Sequence, residues 1–442
     1  MKKIHKLQYV VILFFTCYFV SNATAFETPE KFMVEYKLNY SYTLDSIRQY
    51  CKNNNIPRFV FPSHNSVDMY EITYKGLWID STFIIAKGVL YVPKITKPAA
   101  EMVFCHGTQI NVDVTYGIQD LQQTICMLHA MDGYISYFPF YYGLGGGEKE
   151  HIYQHAWSEA MATIYMVKAC REIYSEIGAK TSGQLFATGY SQGGHAAMAT
   201  HKMLESGIFP EVPITASSPM SGAYDMTGKQ AEVMFRPYIH PFYLPYLVLS
   251  YQYAYNLFPN DIYKAFKAPY NEQIKTLFKQ PRMLDLVYVD SVLPKIPATI
   301  LTDDLVAKFK SDSEFNFKTR LKENDLWNWK PKAPVQLCAC YGDNEVMYDN
   351  TQKAYNTMRQ LSPNVYKRSF GKHLSHNPCA PFALVYTKFF FDNIRSGKKK
   401  PQSMHGLGGL LKIAISVADK KEKHFEKKSG AILTDPMASR KK

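Results

Sequence analysis

The feature that most constrains this chain is an alternation that starts at Glu101. Short apolar runs at 102–105, 134–138, 184–188 and 214–218 read as strands, and the segments 118–131, 155–177 and 194–204 between them read as helices. Continuous apolar strands suit a sheet buried on both faces, and helical crossovers supply the cover. The pattern stops near Tyr224 and resumes at Pro334, with strands at 335–341 and 365–370 and helices at 349–360 and 381–394. The fold class predicted is therefore α/β, with a mostly parallel, doubly wound sheet. Two earlier β-rich runs, 67–74 and 81–91, carry Gly76 and Gly88 as breaks and predict an antiparallel pair.

The gap of about 110 residues between the two halves is too long for a loop, so a helical insertion is expected at about 225–330. Eleven Phe and Tyr fall between Phe235 and Phe266, against 14% aromatic residues for the chain. Aromatic residues that dense either wall an apolar ligand pocket or build an ordinary core, and the two readings are compatible.

The chain has 442 residues and a formal charge of +13. Lys2, Lys3 and Lys6 supply three of those charges. Residues 398–442 hold twelve Lys and Arg against four Asp and Glu, a surplus of eight. The body at 26–397 is left near +2, which gives no basic groove and so no nucleic-acid partner. The basic start, the apolar run from Tyr9 to Val20 and Ala23-Thr24-Ala25 before Phe26 predict a signal peptide over 1–25, hence a secreted or periplasmic protein. Without Cys17, seven cysteines remain, an odd number that leaves at least one thiol outside any internal bridge. In the basic tail at 398–442, Leu410, Leu411, Ile413, Ala414 and Val417 could form one face of a helix lying on anionic membrane. The favoured expectation is a solvated, mobile terminus. Nothing in the sequence fixes the oligomeric state.

The sharpest chemical signal is Gly189-Tyr190-Ser191-Gln192-Gly193-Gly194, which follows an apolar strand and opens a helix. A serine on so sharp a turn needs small neighbours, here Gly189 and Gly193, and the turn lifts its hydroxyl to the edge of the sheet where ligands bind. A serine hydroxyl also needs a base, and the base needs a carboxylate to orient it. Asp343, just past the strand at 335–341, and His376, in the loop between the strand at 365–370 and the helix at 381–394, stand where the order Ser, Asp, His requires. Glu345 and Asp349 are the rival acids, with Asp349 better suited to capping the next helix, and His373 is the rival base. For the oxyanion, the backbone N–H of Gln192 and that of Thr108, in Cys105-His106-Gly107-Thr108, are the candidate donors. His106 itself reads as a structural histidine, and His195 as an ordinary helix or surface residue.

Together these strings resemble the secreted lipase and esterase branch of the α/β-hydrolase superfamily, over about 68–394. The resemblance rests on His106-Gly107, Tyr142-Gly143-Leu144-Gly145, the elbow at 189–194, Trp329-Pro331-Ala333-Pro334, Asp343 with Val346, and His376 with Cys379 and Pro381. The chain departs from the family at Phe140, where an Asp is usual, and at Met347, where a Pro is usual. The resemblance implies an α/β-hydrolase fold in which the insertion is a lid over an acyl pocket. It implies ester or lipid cleavage through an acyl-enzyme, with a small-molecule ester or lipid as substrate and no metal or cofactor. Cys340 lies three residues before Asp343, and Cys379 three after His376, so a hydrogen-bonded acid and base would bring the two thiols near enough to bridge. Two alternatives stand: a serine peptidase of prolyl-oligopeptidase type, for which the region before Glu101 is too short to hold the usual propeller, and a catalytically idle relative used as a binding protein.

Overall fold

The computed structural model describes residues 28–429, except 63, 259, 260, 281, 283 and 405. The expected signal peptide at 1–25 and the end of the basic tail lie outside the described residues. The chain divides into two units, residues 1–31 and residues 32–442, and the whole sheet belongs to the second.

Nine strands form that sheet: β1 (Met33–Tyr42), β2 (Val67–Leu77), β3 (Phe83–Pro93), β4 (Ala99–Cys105), β5 (Tyr134–Pro139), β6 (Thr181–Tyr190), β7 (Ala216–Met220), β8 (Val335–Cys340) and β9 (Val365–Phe370). Their order is β1-β2-β3-β5-β4-β6-β7-β8-β9. From β5 to β9 every neighbouring pair is parallel. β1, β2 and β3 form an antiparallel meander that joins β5. Every residue of β4, β5, β7 and β8 is buried, as a sheet covered on both faces requires.

Two apolar layers do the covering. One packs the helices Ala156–Glu172 and Gln192–Leu204 on the sheet, and the other packs Leu121–Met131 and His376–Arg395. Their starts have local causes. Asp120 Oδ1 accepts the N–H groups of Gln122 and Gln123 at 2.7 and 3.1 Å, and the His155 side chain accepts from Ser158 N–H, which satisfies donors that a helix start leaves unpaired.

The structure differs from the sequence reading in several places. β1 and the helix Leu44–Asn53 had no counterpart there, and the fourth strand of the parallel set lies at Ala216–Met220 rather than 214–218. His376 does not sit in a loop; it is the first residue of the helix His376–Arg395, which carries Pro381 inside it. A proline in the first turn of a helix removes no intrahelical donor, so Pro378 is tolerated there and the helix starts five residues before Pro381. Asp349 does not cap the next helix. It lies in the first turn of Tyr348–Leu361 behind Met347, where a negative charge still suits the helix dipole.

The insertion is helical, with Tyr243–Tyr255, Tyr270–Leu277, Leu286–Val292, Asp303–Ser311 and Asn316–Glu323 as its α-helices. It has an apolar core of its own, which includes Phe242, Tyr246, Tyr251, Phe266, Phe309 and Phe317. The tail is not a solvated terminus as far as it is described. Residues 408–429 form the helix Gly408–Ser429, with Ile415 buried and Leu411 and Ala418 packed on the core. The five apolar tail residues therefore do not share a face: Leu411 turns inward, while Leu410 and Ile413 are each 62% exposed. Among the described residues no helix is long and apolar enough to cross a membrane.

Candidate active site

β6 and the helix Gln192–Leu204 meet at Ser191, whose backbone is held at φ +62° and ψ −122°. That conformation is uncommon for a residue with a side chain and costs about 1–3 kcal/mol, which the surroundings must offset. The Ser191 N–H donates to Met220 O at 3.0 Å and its carbonyl accepts from Gly194 N–H at 2.9 Å. The flanking glycines are a steric necessity. A Cβ on Gly189 would lie 2.3 Å from Cys105 O, and one on Gly193 would lie 1.9 Å from the same oxygen.

Asp343 follows the end of β8 and is fully buried. Its Oδ1 accepts the N–H groups of Glu345 and Val346 at 3.1 and 3.0 Å, which fixes the carboxylate. His376 Nδ1 donates to Asp343 at 2.9 Å from either oxygen. His376 Nε2 is buried and has no hydrogen-bond partner, so this nitrogen is left to act on something else. Tyr190, the residue before Ser191, donates its hydroxyl to His376 O at 2.6 Å and packs its ring against the imidazole, tilted by 47° with centroids 4.8 Å apart. Burial alone would lower the His376 pKa, but the charges of Asp343 and Glu345 outweigh it and raise the value above the ordinary one. The thiols of Cys340 and Cys379 are joined in a disulfide, with Cα atoms 5.9 Å apart. The bridge ties the end of β8 to the first turn of the helix that carries His376.

The rival residues hold other places. His373 gives its N–H to Asp419 Oδ1 at 2.6 Å, and the acid is paired with His376 instead. Glu345 accepts the Tyr243 hydroxyl at 3.0 Å and faces His240 Nε2 at 3.5 Å. His106 is buried with its nitrogens on Gly107 O and Phe140 O, 2.7 and 3.0 Å away, and burial lowers its pKa. The Gly107 N–H is committed to Gln122 Oε1 at 2.6 Å, which leaves Thr108 as the next N–H along that loop. The Thr108 hydroxyl lies 3.2 Å from Tyr153 Oη. Gln192 opens its helix, where backbone N–H groups point out of the first turn toward negative charge.

Ser191 lines a partly open cavity of about 70 Å³. Apolar side chains of the insertion make up most of its wall, among them Met226, Val233, Met234, Leu244, Leu247 and Leu321, with Tyr238 and Tyr243 also present. The aromatic run thus serves both ends: most of it fills the core of the insertion, and two tyrosines reach the cavity.

Several residues that shape the site went unread in the sequence. Glu159 is fully buried beneath the elbow, where its oxygens accept from Gln192 Nε2 and His195 Nδ1, both at 2.8 Å. Gln192 Nε2 also reaches His151 Nε2 at 3.0 Å. His195 is therefore an interior residue of this network. An acid inside the apolar run Ala156–Cys170 was the available signal. His240, from the insertion, donates to Asp290 at 2.6 Å and faces Glu345; burial lowers its pKa, but these two carboxylates raise it to about 9. No local pattern marks that contact.

The sheet order, the elbow at the end of β6 and the loops after β8 and β9 define the α/β-hydrolase fold. The sequence matches no family model and no curated protein. Solved structures match over most of the chain. A Legionella pneumophila protein provisionally assigned as a hydrolase aligns at 24% identity and TM-score 0.76, covering 84% of this chain and 100% of its own. The rice cell wall degrading esterase LipA of Xanthomonas oryzae aligns at 24% identity and TM-score 0.72, covering 85% and 100%. Candida antarctica lipase A, in its closed state, aligns at 13% identity and TM-score 0.64, covering 90% and 94%. These likenesses establish the fold.

Proposed function

We propose that this chain is an exported serine hydrolase that cleaves carboxylic esters, lipid esters among them. The observation that carries the reading is the Asp343–His376 pair, whose unbonded Nε2 belongs to a ring packed against Tyr190 of the elbow that holds Ser191 at an apolar cavity. The ester and lipase neighbours support the substrate class. In this reading His376 Nε2 takes the hydroxyl proton as Ser191 Oγ attacks the ester carbonyl. The N–H groups of Gln192 and Thr108 receive the oxyanion, and the dipole of the helix Gln192–Leu204 adds to them. Asp343 holds the imidazole in the tautomer that presents Nε2 and stabilises the imidazolium. His376 then protonates the departing alkoxide, an acyl-Ser191 remains, and water activated by the same histidine releases the acid. The insertion is the lid, and its apolar wall takes the acyl group out of water.

A fluorophosphonate serine probe tests the nucleophile. The wild type takes the label and Ser191→Ala does not, and p-nitrophenyl esters from acetate to palmitate then separate esterase from lipase behaviour. A folded wild type that stays unlabelled with and without detergent overturns the reading in favour of a binding protein. Export is supported by residues 1–25 and by a disulfide suited to an oxidising compartment; N-terminal sequencing of the exported protein should begin at Phe26.

A further inference from the structure

The helix Gly408–Ser429 is apolar on two opposite faces. Its inner face docks on the protein through Leu411, Ile415 and Ala418. Polar ties reinforce the docking: Asp419 Oδ1 accepts the N–H groups of His373 and Leu374 at 2.6 and 3.1 Å, and Glu422 accepts the Ser375 hydroxyl. The outer face should then be polar, as on any surface helix. Instead Leu410, Ile413 and Val417 stand there at 62%, 62% and 50% exposure. Their spacing of three and four residues puts them in one stripe, about half a turn from Ile415 at 3.6 residues per turn. Lys412, Lys420, Lys421 and Lys423 are exposed on the same helix.

We propose that this outer face docks the protein on an anionic lipid bilayer. An apolar stripe bordered by lysines is what an interfacial helix offers, its apolar side entering the headgroup region while the ammonium groups meet anionic headgroups. The charge distribution selects this occupant. The surplus of eight positive charges lies in residues 398–442, against about two over 26–397, so pairing the helix with a second copy would set like charges together. The inner face grips residues 373–375, directly before His376, so a bilayer held on the outer face lies about one helix diameter, roughly 10 Å, from the segment that leads into the His376 helix. The proposal does not rest on the hydrolase reading, because binding is measured without turnover.

The test is co-sedimentation of the purified exported protein with vesicles of phosphatidylglycerol and phosphatidylcholine in equal parts, and with phosphatidylcholine alone. The anionic vesicles should carry the protein down at low salt, with affinity at least tenfold weaker on the neutral vesicles. Combined Leu410→Asn, Ile413→Asn and Val417→Asn should weaken binding at least tenfold. Combined Lys412→Gln, Lys420→Gln, Lys421→Gln and Lys423→Gln should do the same, at about fivefold per lysine. All seven side chains are exposed, and an unchanged circular-dichroism melt confirms that each variant is folded. Ser191→Ala should bind as the wild type does, which separates docking from catalysis. Equal sedimentation of the wild type and both variants overturns the proposal. So does light scattering that finds a dimer which the apolar variant dissociates, since the stripe is then covered by a second copy.

Discussion

The elbow and the insertion above it face the same cavity and are held by opposite means. At the elbow, backbone packs on backbone: Gly189 and Gly193 lie so close to Cys105 O that no Cβ fits, and Ser191 is pinned from β7 by Met220 O. The insertion packs by side chains around its own core, and several of its polar ties to the rest of the site end on one residue. Glu345 O accepts from Tyr238 Oη and Gln230 Nε2 at 2.8 and 3.1 Å, and the Glu345 carboxylate meets Tyr243 and His240. Backbone contact tolerates no substitution, whereas side-chain contact can be repacked. In the proposed reading, the chemistry is built into the inflexible region and the choice of substrate into the adjustable one.

The contrast can be broken most severely at the elbow. Gly193→Ala should abolish labelling and lower expression of folded protein, and Asp343→Asn, which keeps the shape, should cut kcat by about 10⁴; a Gly193→Ala enzyme with normal turnover would end the argument from close packing. Removing the bridge with Cys340→Ala and Cys379→Ala, 39 residues apart, should cost about 3–4 kcal/mol in urea unfolding, since a loop of that length loses its constraint on the unfolded chain. In the insertion, Leu247→Trp should leave turnover of p-nitrophenyl acetate within about twofold and cut that of palmitate about tenfold. The smallest effect is expected at His240. Its folded pKa of about 9 is raised from 6.5, so the charged tie is present in full below about 6.5 and lost as pH rises through about 9. Limited proteolysis of the insertion should quicken over that range, and His240→Gln should flatten the dependence.

What the sequence disclosed follows the same division. The buried strands were legible because a sheet covered on both faces must read as apolar runs. The places of Ser191, Asp343 and His376 in the fold were legible because each follows a strand, in the order the motif requires. β1 alternates Tyr36, Leu38, Tyr40 and Tyr42 with polar residues, yet it is an edge strand with most of its side chains exposed, so its apolar content looks too thin to mark it. The helix at His376 was misread because Pro381 looks like a start. The hold of Asp419 on His373, 46 residues away, and that of Glu345 on the insertion are long-range pairings of ordinary polar residues, and nothing near either partner in the chain announces them.

The bridge between Cys340 and Cys379 also has a meaning for motion. With the Asp343–His376 hydrogen bond it closes a small ring: covalent on one side, polar on the other, and only three residues long on each arm. If the hydrogen bond opens for an instant, the two side chains cannot drift apart, because the sulfur atoms keep their loops side by side. Re-formation is then an intramolecular event at a high effective concentration rather than a search. Whatever disturbs the cavity, the two side chains return to register on the timescale of a side-chain rotation.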